Sequence, residues 1–273
     1  MKKTFFRVLT AAALTVAAAY SQPAQPAAPA AKPARAPKPP SGPTPRLADG
    51  KVDLGNESGI WSPIWVQDWA DPKWVEKKVD VPFQPWAKER YDIRRANNSK
   101  NDPEGYCLPP GIPRYTGTPY PFQILQLKDR VVILYEGASH NYRTIYTNRK
   151  THPKPDELNP TWLGDSIGWW EGDTFVVDTV GFNGRTWLDY VGHPATDKLH
   201  VIERYSRPNY DTLHYETTID DPEAYTKPWT TSFNVPFSKG GEILEYICLE
   251  NNKDLAHIGA TTPDYYGPGD KRE

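Results

Sequence analysis

The chain is 273 residues long, with 12% aromatic residues, 29 prolines and two cysteines. This length suits one large β domain or two smaller ones. Its first 46 residues contain seven Lys or Arg and no Asp or Glu, so the remaining 25 basic and 34 acidic residues give the rest of the chain a net charge of −9. An acidic body lacks the basic surface that binds nucleic acids, and we therefore expect no nucleic-acid partner.

The N-terminus has the form of a cleavable export signal. Three basic residues within the first seven precede an apolar run at 9–19, and small residues follow near Ala19. The run is shorter than the roughly 20 apolar residues that span a bilayer. We therefore predict a signal peptide at 1–21, no transmembrane segment after cleavage, and a periplasmic or secreted location. An uncleaved membrane anchor is the alternative.

Residues 22–46 consist mostly of proline, alanine and a few basic residues. Such a segment cannot bury enough apolar surface to offset the entropy lost on ordering, and its prolines favour an extended spacer. We predict a disordered tether. A contact with the cell wall or the membrane surface is the alternative, because the segment is cationic.

The next segment, 47–121, is irregular and rich in tryptophan. One helix is predicted near 85–97, because Pro85 suits a first helical turn and mostly good helix formers follow it. Further along, Asp102-Pro103 and the proline-rich stretch at 108–113 interrupt any helix.

Short β-rich runs separated by turn residues begin at Phe122. The predicted strands are 122–127, 130–136, 142–147, 165–170, 174–181, 199–207, 212–220, 229–235 and 243–249. We predict a mostly β domain over 122–252, an antiparallel meander that closes into a lipocalin-like (calycin-like) barrel, with the N-terminal Trp-rich segment and its helix packed outside. A two-sheet β-sandwich is the alternative. Residues 253–273 are predicted to be a C-terminal tail.

The two cysteines, Cys107 and Cys248, are expected to form a disulfide, since paired cysteines are the simplest state in an oxidising compartment. The bond would join the chain before the first predicted strand of the meander to the last predicted strand. A reactive free thiol is the alternative, but no Cys-x-x-Cys spacing supports it.

Five groups of short motifs are distributed over 47–252. They are Cys107–Gly111 with Pro113-Arg114, Asp165–Gly168 with Trp170–Thr174, Leu199–Val201 with Glu203-Arg204, Ile219–Pro222, and Glu245-Tyr246 with Cys248 and Glu250-Asn251. In these motifs the chain resembles a widespread family of uncharacterised secreted bacterial proteins. The resemblance implies secretion, and it assigns no catalytic role to any residue.

Glu203 is the most informative single residue. Side chains alternate between the two faces of a strand, which places Glu203 on the same face as Val201 and Tyr205 and therefore toward the interior. A buried carboxylate must be paired, shifted in pKa or facing a cavity. It is predicted to be an acid/base or ligand-binding group at the barrel mouth, or alternatively a structural ion pair with an inward arginine.

Other polar and aromatic residues complete two candidate sites. An acid/base site would use His140 and Glu203 with Tyr205 or Tyr215 as proton donor. A ligand-binding site would use Arg143 as an anion clamp, with Trp170 and His200. No paired-histidine or cysteine spacing indicates a metal site, and no nucleotide fingerprint is present, so no metal or cofactor is expected.

The first functional hypothesis is an extracytoplasmic β-barrel that binds a small organic or carbohydrate ligand in its interior. The second is a metal-independent acid/base enzyme, namely a lyase, an isomerase or a glycoside-acting hydrolase. The third is an envelope interaction module, which predicts a broad exposed tryptophan patch on the N-terminal segment.

Overall fold

The computed structural model describes residues 42–56, 58–250 and 253. The predicted signal peptide, most of the tether and nearly all of the predicted C-terminal tail lie outside the described residues. Within the described part, no helix combines the length and the apolar character needed to cross a lipid bilayer.

The described strands form one closed barrel in which each strand pairs with the next and the last pairs with the first. They are β1 Gly59–Trp61, β2 Phe122–Gln126, β3 Arg130–Tyr135, β4 Tyr142–Tyr146, β5 Asp165–Glu171, β6 Thr174–Val180, β7 His200–Asn209, β8 Thr212–Asp220 and β9 Trp229–Lys239. The predicted β-barrel is confirmed, and the two-sheet sandwich is wrong. Closure removes every free sheet edge from the ring.

Two predictions about the ends of the barrel are wrong. They are the strand at 243–249 and the placement of the whole Trp-rich segment outside the barrel. The predicted strand at 243–249 is not formed, and the apolar side chains of Leu244, Ile247 and Leu249 are exposed. The Trp-rich segment instead supplies β1, whose Gly59 pairs with Lys239 of β9. Because β1 already occupies the edge of β9, no place remains for a further strand there.

The meander is also not wholly antiparallel. After β4 the chain makes a long connection over 147–164 and returns as β5, which runs parallel to β4. Only two residue pairs join these strands, Ile145 with Ser166 and Tyr146 with Ile167. The β4–β5 seam is therefore the most weakly paired junction of the ring apart from the short β1–β2 contact.

The predicted helix is confirmed as α1, Pro85–Ala96, with a proline in its first turn. A one-turn helix, α2 at Gly137–His140, was not predicted. Two 3₁₀ helices, Pro103–Tyr106 and Arg114–Gly117, occupy the proline-rich segment before β2.

The Trp-rich segment contributes to the core as well as packing outside. Trp61 and Trp69 are fully buried, and the Trp69 ring contacts Tyr215 and Phe233, with centroids 6.2 Å and 5.5 Å away. Of the five tryptophans of this segment, only Trp65 is exposed. The broad tryptophan patch predicted for an envelope interaction module is therefore not formed by the described residues.

Both ends of the described chain are attached to the barrel. Arg46 forms an ion pair with Asp173, and the Thr44 hydroxyl donates to the main-chain oxygen of Arg207, so the tether ends earlier than the predicted residue 46. The predicted disulfide between Cys107 and Cys248 is confirmed, across a sequence separation of 141 residues. It anchors a non-strand segment that follows β9.

Candidate functional site

The alternation predicted for β7 is observed. Val201, Glu203 and Tyr205 are buried, whereas Ile202 and Arg204 point outward. Glu203 is 0% exposed. The predicted orientation of this carboxylate toward the interior is therefore confirmed.

Glu203 is fully paired inside the barrel. Its Oε2 accepts a hydrogen bond from Nη2 of Arg143 at 2.5 Å. Its Oε1 accepts from the hydroxyls of Tyr205 and Tyr215 at 2.8 Å and 2.9 Å. A ligand could reach the carboxylate only by displacing one of these three buried groups, so the geometry is that of the structural ion pair and not of an interior ligand pocket.

The electrostatics of this cluster also disfavour proton transfer. Burial opposes the charge on Arg143, but Glu203, Tyr205 and Tyr135 together outweigh burial and raise the pKa of the guanidinium. Burial and the nearby Glu203 charge raise the pKa values of Tyr205 and Tyr215 well above their usual range. Both phenols therefore stay protonated and serve as hydrogen-bond donors.

Arg143 connects the interior to the β4–β5 seam. Its Nε donates to the hydroxyl of Ser166 at 3.0 Å, and its Nη2 also donates to the hydroxyl of Thr179 at 2.6 Å. Nη1 is buried and has no hydrogen-bond partner. The Tyr135 hydroxyl faces the same guanidinium. The guanidinium is therefore held inside the barrel by groups from neighbouring strands.

Two other predicted site residues, His140 and Trp170, lie away from the Glu203–Arg143 cluster. The Nε2 atom of His140 is 2.8 Å from the main-chain oxygen of Leu244 and 2.9 Å from the main-chain nitrogen of Tyr246. It donates to the first when protonated and accepts from the second when not, so in either tautomer its hydrogen bond goes to the segment after β9 and not to Glu203. Trp170 packs on Phe175, with ring centroids 5.2 Å apart. The predicted partnership of His140 with Glu203 is not formed.

His200, predicted as a ligand-binding residue beside Arg143, instead belongs to a network on the outer face whose other members were not predicted. Its Nε2 is 2.9 Å from Oδ1 of Asp178, and Nε2 of His152 is 3.2 Å from the same oxygen. Nδ1 of His152 lies 2.8 Å from Asp165, which also accepts from Arg149. Asp178 is the one charged residue of β6, which is the signal that could have located this network.

Asp68, Asp189 and His193 form a buried group with metal-ligand chemistry. Nδ1 of His193 is 2.6 Å from Oδ2 of Asp189, whereas two ligands on one tetrahedral zinc lie roughly 3.3 Å apart given zinc–nitrogen bonds of about 2.0 Å. Asp189 also accepts from the main-chain N–H groups of Trp69, Gly192 and His193. Burial opposes its ionisation, but His193 and the main-chain N–H donors together outweigh burial and lower the Asp189 pKa. The arrangement is that of a hydrogen-bonded structural pair.

A cavity lies at the β4–β5 seam, and we name it the seam groove. Its volume is about 420 Å³. The residues that define it are Tyr142, Arg143, Thr144, Trp162, Asp165 and Ser166.

The seam groove opens through the barrel wall at a strand edge. Consecutive residues of a strand point to opposite faces, yet Tyr142, Arg143 and Thr144 all line the groove. This is possible only where the edge of β4 itself borders the cavity. Tyr142 has no partner on β5, because pairing begins at Ile145. The groove therefore joins the outer surface to the buried Arg143.

No protein-family model, curated protein or solved structure matches this chain. The chemistry of the seam groove is therefore inferred from its own residues.

Aromatic side chains and balanced charges characterise the seam groove. Tyr142 is 66% exposed, and Trp162 and Tyr146 are partly exposed. The carboxylate of Asp165 is paired with Arg149 and His152, and Arg149 lies 3.8 Å from the Tyr146 ring centroid. Since the charge of Arg143 is balanced by Glu203, the groove offers rings and hydrogen-bonding groups without a net charge.

Proposed function

We propose that this protein is an extracytoplasmic β-barrel that binds a small organic ligand, of which a neutral carbohydrate fits best, in the seam groove. The observation that carries the proposal is the groove itself, an aromatic-edged cavity of about 420 Å³ that the unpaired edge of β4 borders. The interior site of the original hypothesis is replaced by a site in the wall of the barrel.

The size and lining of the seam groove support binding of a small molecule. Ligand pockets measure roughly 300–1,000 Å³ and combine apolar rings with a few placed polar groups. Here Tyr142 and Trp162 supply rings, and Thr144 and Ser166 supply hydroxyls.

Charge balance favours a neutral ligand rich in hydroxyl groups. Arg143 is paired with Glu203, and Asp165 is paired with Arg149 and His152, so an ionic ligand would compete with existing ion pairs. A sugar ring needs no such exchange. Its C–H face can stack on an aromatic ring while its hydroxyls bond to the polar groups.

The test is a binding titration with a matched pair of tryptophan variants. Neutral glucose, mannose and N-acetylglucosamine oligosaccharides are titrated while binding is followed by calorimetry. Trp162→Ala should weaken binding at least about tenfold, because truncation of an aromatic anchor commonly costs more than 1 kcal/mol. Trp169→Ala serves as the control, since Trp169 is exposed on β5 and does not define the groove.

Absence of binding by any of these sugars would refute the carbohydrate proposal. Equal losses in Trp162→Ala and Trp169→Ala would show that a ligand binds somewhere other than the seam groove.

We also propose that the chain is exported and belongs to the secreted family that its motifs resemble. The disulfide is compatible with an oxidising compartment. Expression of the full chain in a bacterium should give a periplasmic or secreted product that begins at Gln22. Intact mass and N-terminal sequencing test this, and an intracellular product that retains the first 21 residues would contradict it.

A further inference from the structure

A second cavity is lined by four aromatic side chains that come from four separate parts of the chain. We name it the aromatic cleft, and its volume is about 340 Å³. The residues that define it are Trp65, Lys100, Glu104, Tyr120, Tyr190 and Tyr246.

The four rings are arranged as two pairs. Trp65 and Tyr190 meet edge to face with centroids 5.2 Å apart. Tyr120 and Tyr246 are tilted with centroids 4.9 Å apart, and their hydroxyls lie 3.2 Å from each other. Each pair stabilises its own geometry, so the cleft presents rings that are already fixed in place.

Two features of Trp65 are energetically unfavourable, namely its backbone conformation and its exposure to solvent. Its φ of 58° lies in the left-handed region, which a bulky side chain rarely adopts. Its indole is also 38% exposed. Ser99, another lining residue, has a similar φ of 58°, and its hydroxyl donates to the main-chain oxygen of Tyr190. Strain of this kind persists where the surrounding structure enforces it, which often happens at ligand sites.

The polar groups of the aromatic cleft are balanced in charge. Arg114 donates to both Asp102 and Glu104, at 2.6 Å and 2.8 Å through Nη2. Burial raises the pKa of Glu104. Lys100 supplies a cation at the opening. Two acids and two bases therefore leave the cleft with rings and hydrogen-bonding groups and no net charge, as in the seam groove.

A contact through His140 connects the segments that line the two cavities. Asn141 and Tyr142 line the seam groove. His140 directly precedes them, and its Nε2 is 2.9 Å from the main-chain nitrogen of Tyr246, which lines the aromatic cleft. The loop at the junction of α2 and β4 therefore lies between a segment of one cavity and a segment of the other.

We propose that the seam groove and the aromatic cleft are two subsites for one neutral oligosaccharide, which crosses the loop between them. This inference rests on the proposed function of the seam groove and extends it from a single small ligand to a chain of sugar rings. The contact through His140, the matching charge balance and the paired aromatic rings carry the inference. His140 and Tyr246 are then positioning residues that keep the two subsites adjacent.

The test compares ligand length across variants of each subsite. Disaccharides and hexasaccharides of the same neutral sugar are titrated against the full folded chain. A ligand that occupies both subsites gains affinity through effective concentration, so the hexasaccharide should bind about 100-fold or more tightly than the disaccharide. Trp65→Ala should reduce the hexasaccharide affinity toward the disaccharide value and leave disaccharide binding at the seam groove unchanged.

Tyr190→Ala gives a second variant of the aromatic cleft in case Trp65→Ala alters folding, and Trp169→Ala is again the control. Disaccharide and hexasaccharide affinities that are equal, or a hexasaccharide affinity that neither cleft variant changes, would overturn the two-subsite inference and leave the proposed function standing. Absence of binding at both lengths would instead overturn the proposed function itself.

Discussion

At the scale of single residues, the interior of the barrel is organised by Glu203 and Arg143. Both side chains are buried, and each also bonds to hydroxyl groups from neighbouring strands. Removing one member of a buried ion pair leaves the other charge unpaired, which costs more than replacing both members by apolar groups. The pair therefore contributes to specifying how the core packs.

Glu203→Leu alone should destabilise the protein by about 3–5 kcal/mol, because Arg143 would remain charged and buried. The double variant Arg143→Met/Glu203→Leu should recover most of that loss. Urea denaturation of the two single variants and the double variant measures the coupling. Glu216→Gln is the control, since Glu216 points outward from β8. Simple additivity of the single losses would contradict the ion-pair interpretation.

The outer pair of His200 and Asp178 gives a pH-dependent contribution to stability. The hydrogen bond to Asp178 raises the pKa of His200 above 6.5. Burial opposes ionisation of Asp178, but His200 and His152 outweigh burial and lower its pKa below 3.8. The stability from His200 is complete below pH 6.5 and is lost as pH rises through its folded pKa. The stability from Asp178 is complete above pH 3.8 and is lost as pH falls through its folded pKa.

The difference in unfolding free energy between the wild type and His200→Gln should therefore be largest between about pH 4 and 6.5 and should shrink at higher pH. Denaturation curves at several pH values measure it. Arg204→Gln is the matched control, because the Arg204–Glu171 pair lies on the same outer face and its ionisation does not change between about pH 6 and 8, where the His200 contribution is lost. A difference that grows above pH 7 would contradict the assignment.

At the scale of elements, the ring depends on two short junctions, the parallel β4–β5 seam and the strand β1. The seam forms because the long connection after β4 returns the chain in the same direction. β1 is only three residues long, and its residues are all buried, so it shows no alternation. Both features escaped prediction because neither has a local sequence pattern of its own.

Gly59 allows β1 to close against β9. Its φ is +155°, and an added Cβ would lie 2.2 Å from the main-chain oxygen of Ser238. Gly59→Ala should cost about 3 kcal/mol, because main-chain atoms of a paired strand move less readily than side chains. Thermal denaturation measures the loss. Gly105→Ala, where no atom lies within 4 Å of an added Cβ, should be nearly neutral, and equal effects would refute the clash.

At the scale of the whole molecule, the disulfide connects two segments that do not belong to the barrel strands. Cys107 follows the first 3₁₀ helix, and Cys248 lies in the segment after β9. That segment carries exposed Leu244, Ile247 and Leu249 and contributes Tyr246 to the aromatic cleft. Its attachment therefore determines whether the second cavity exists.

Replacing both cysteines, as Cys107→Ser/Cys248→Ser, should lower the unfolding free energy by about 2–5 kcal/mol, since the bond closes a loop of well over 100 residues. Urea denaturation measures this loss. The wild-type protein in reductant should match the double variant and provides the control. Unchanged stability in both samples would show that the crosslink does not constrain the unfolded chain.

The sequence by itself determined the elements with a strong local pattern. Pro85 and the residues after it predicted α1, and the alternation of side chains predicted the strands from β2 to β8 and the inward direction of Glu203. The pairing of Cys107 with Cys248 followed from their number and the expected compartment. These properties depend on near neighbours along the chain or on composition, which a sequence displays directly.

Only the tertiary structure decided which distant groups meet. It paired Glu203 with Arg143, 60 residues apart, and directed His140 to the segment after β9. It also left β4 and β5 partly unpaired and so opened the seam groove. Contacts of this kind depend on the order in which strands pair and on which strand edges are already occupied. The local pattern of 243–249, for example, contains no information about the presence of β1 beside β9.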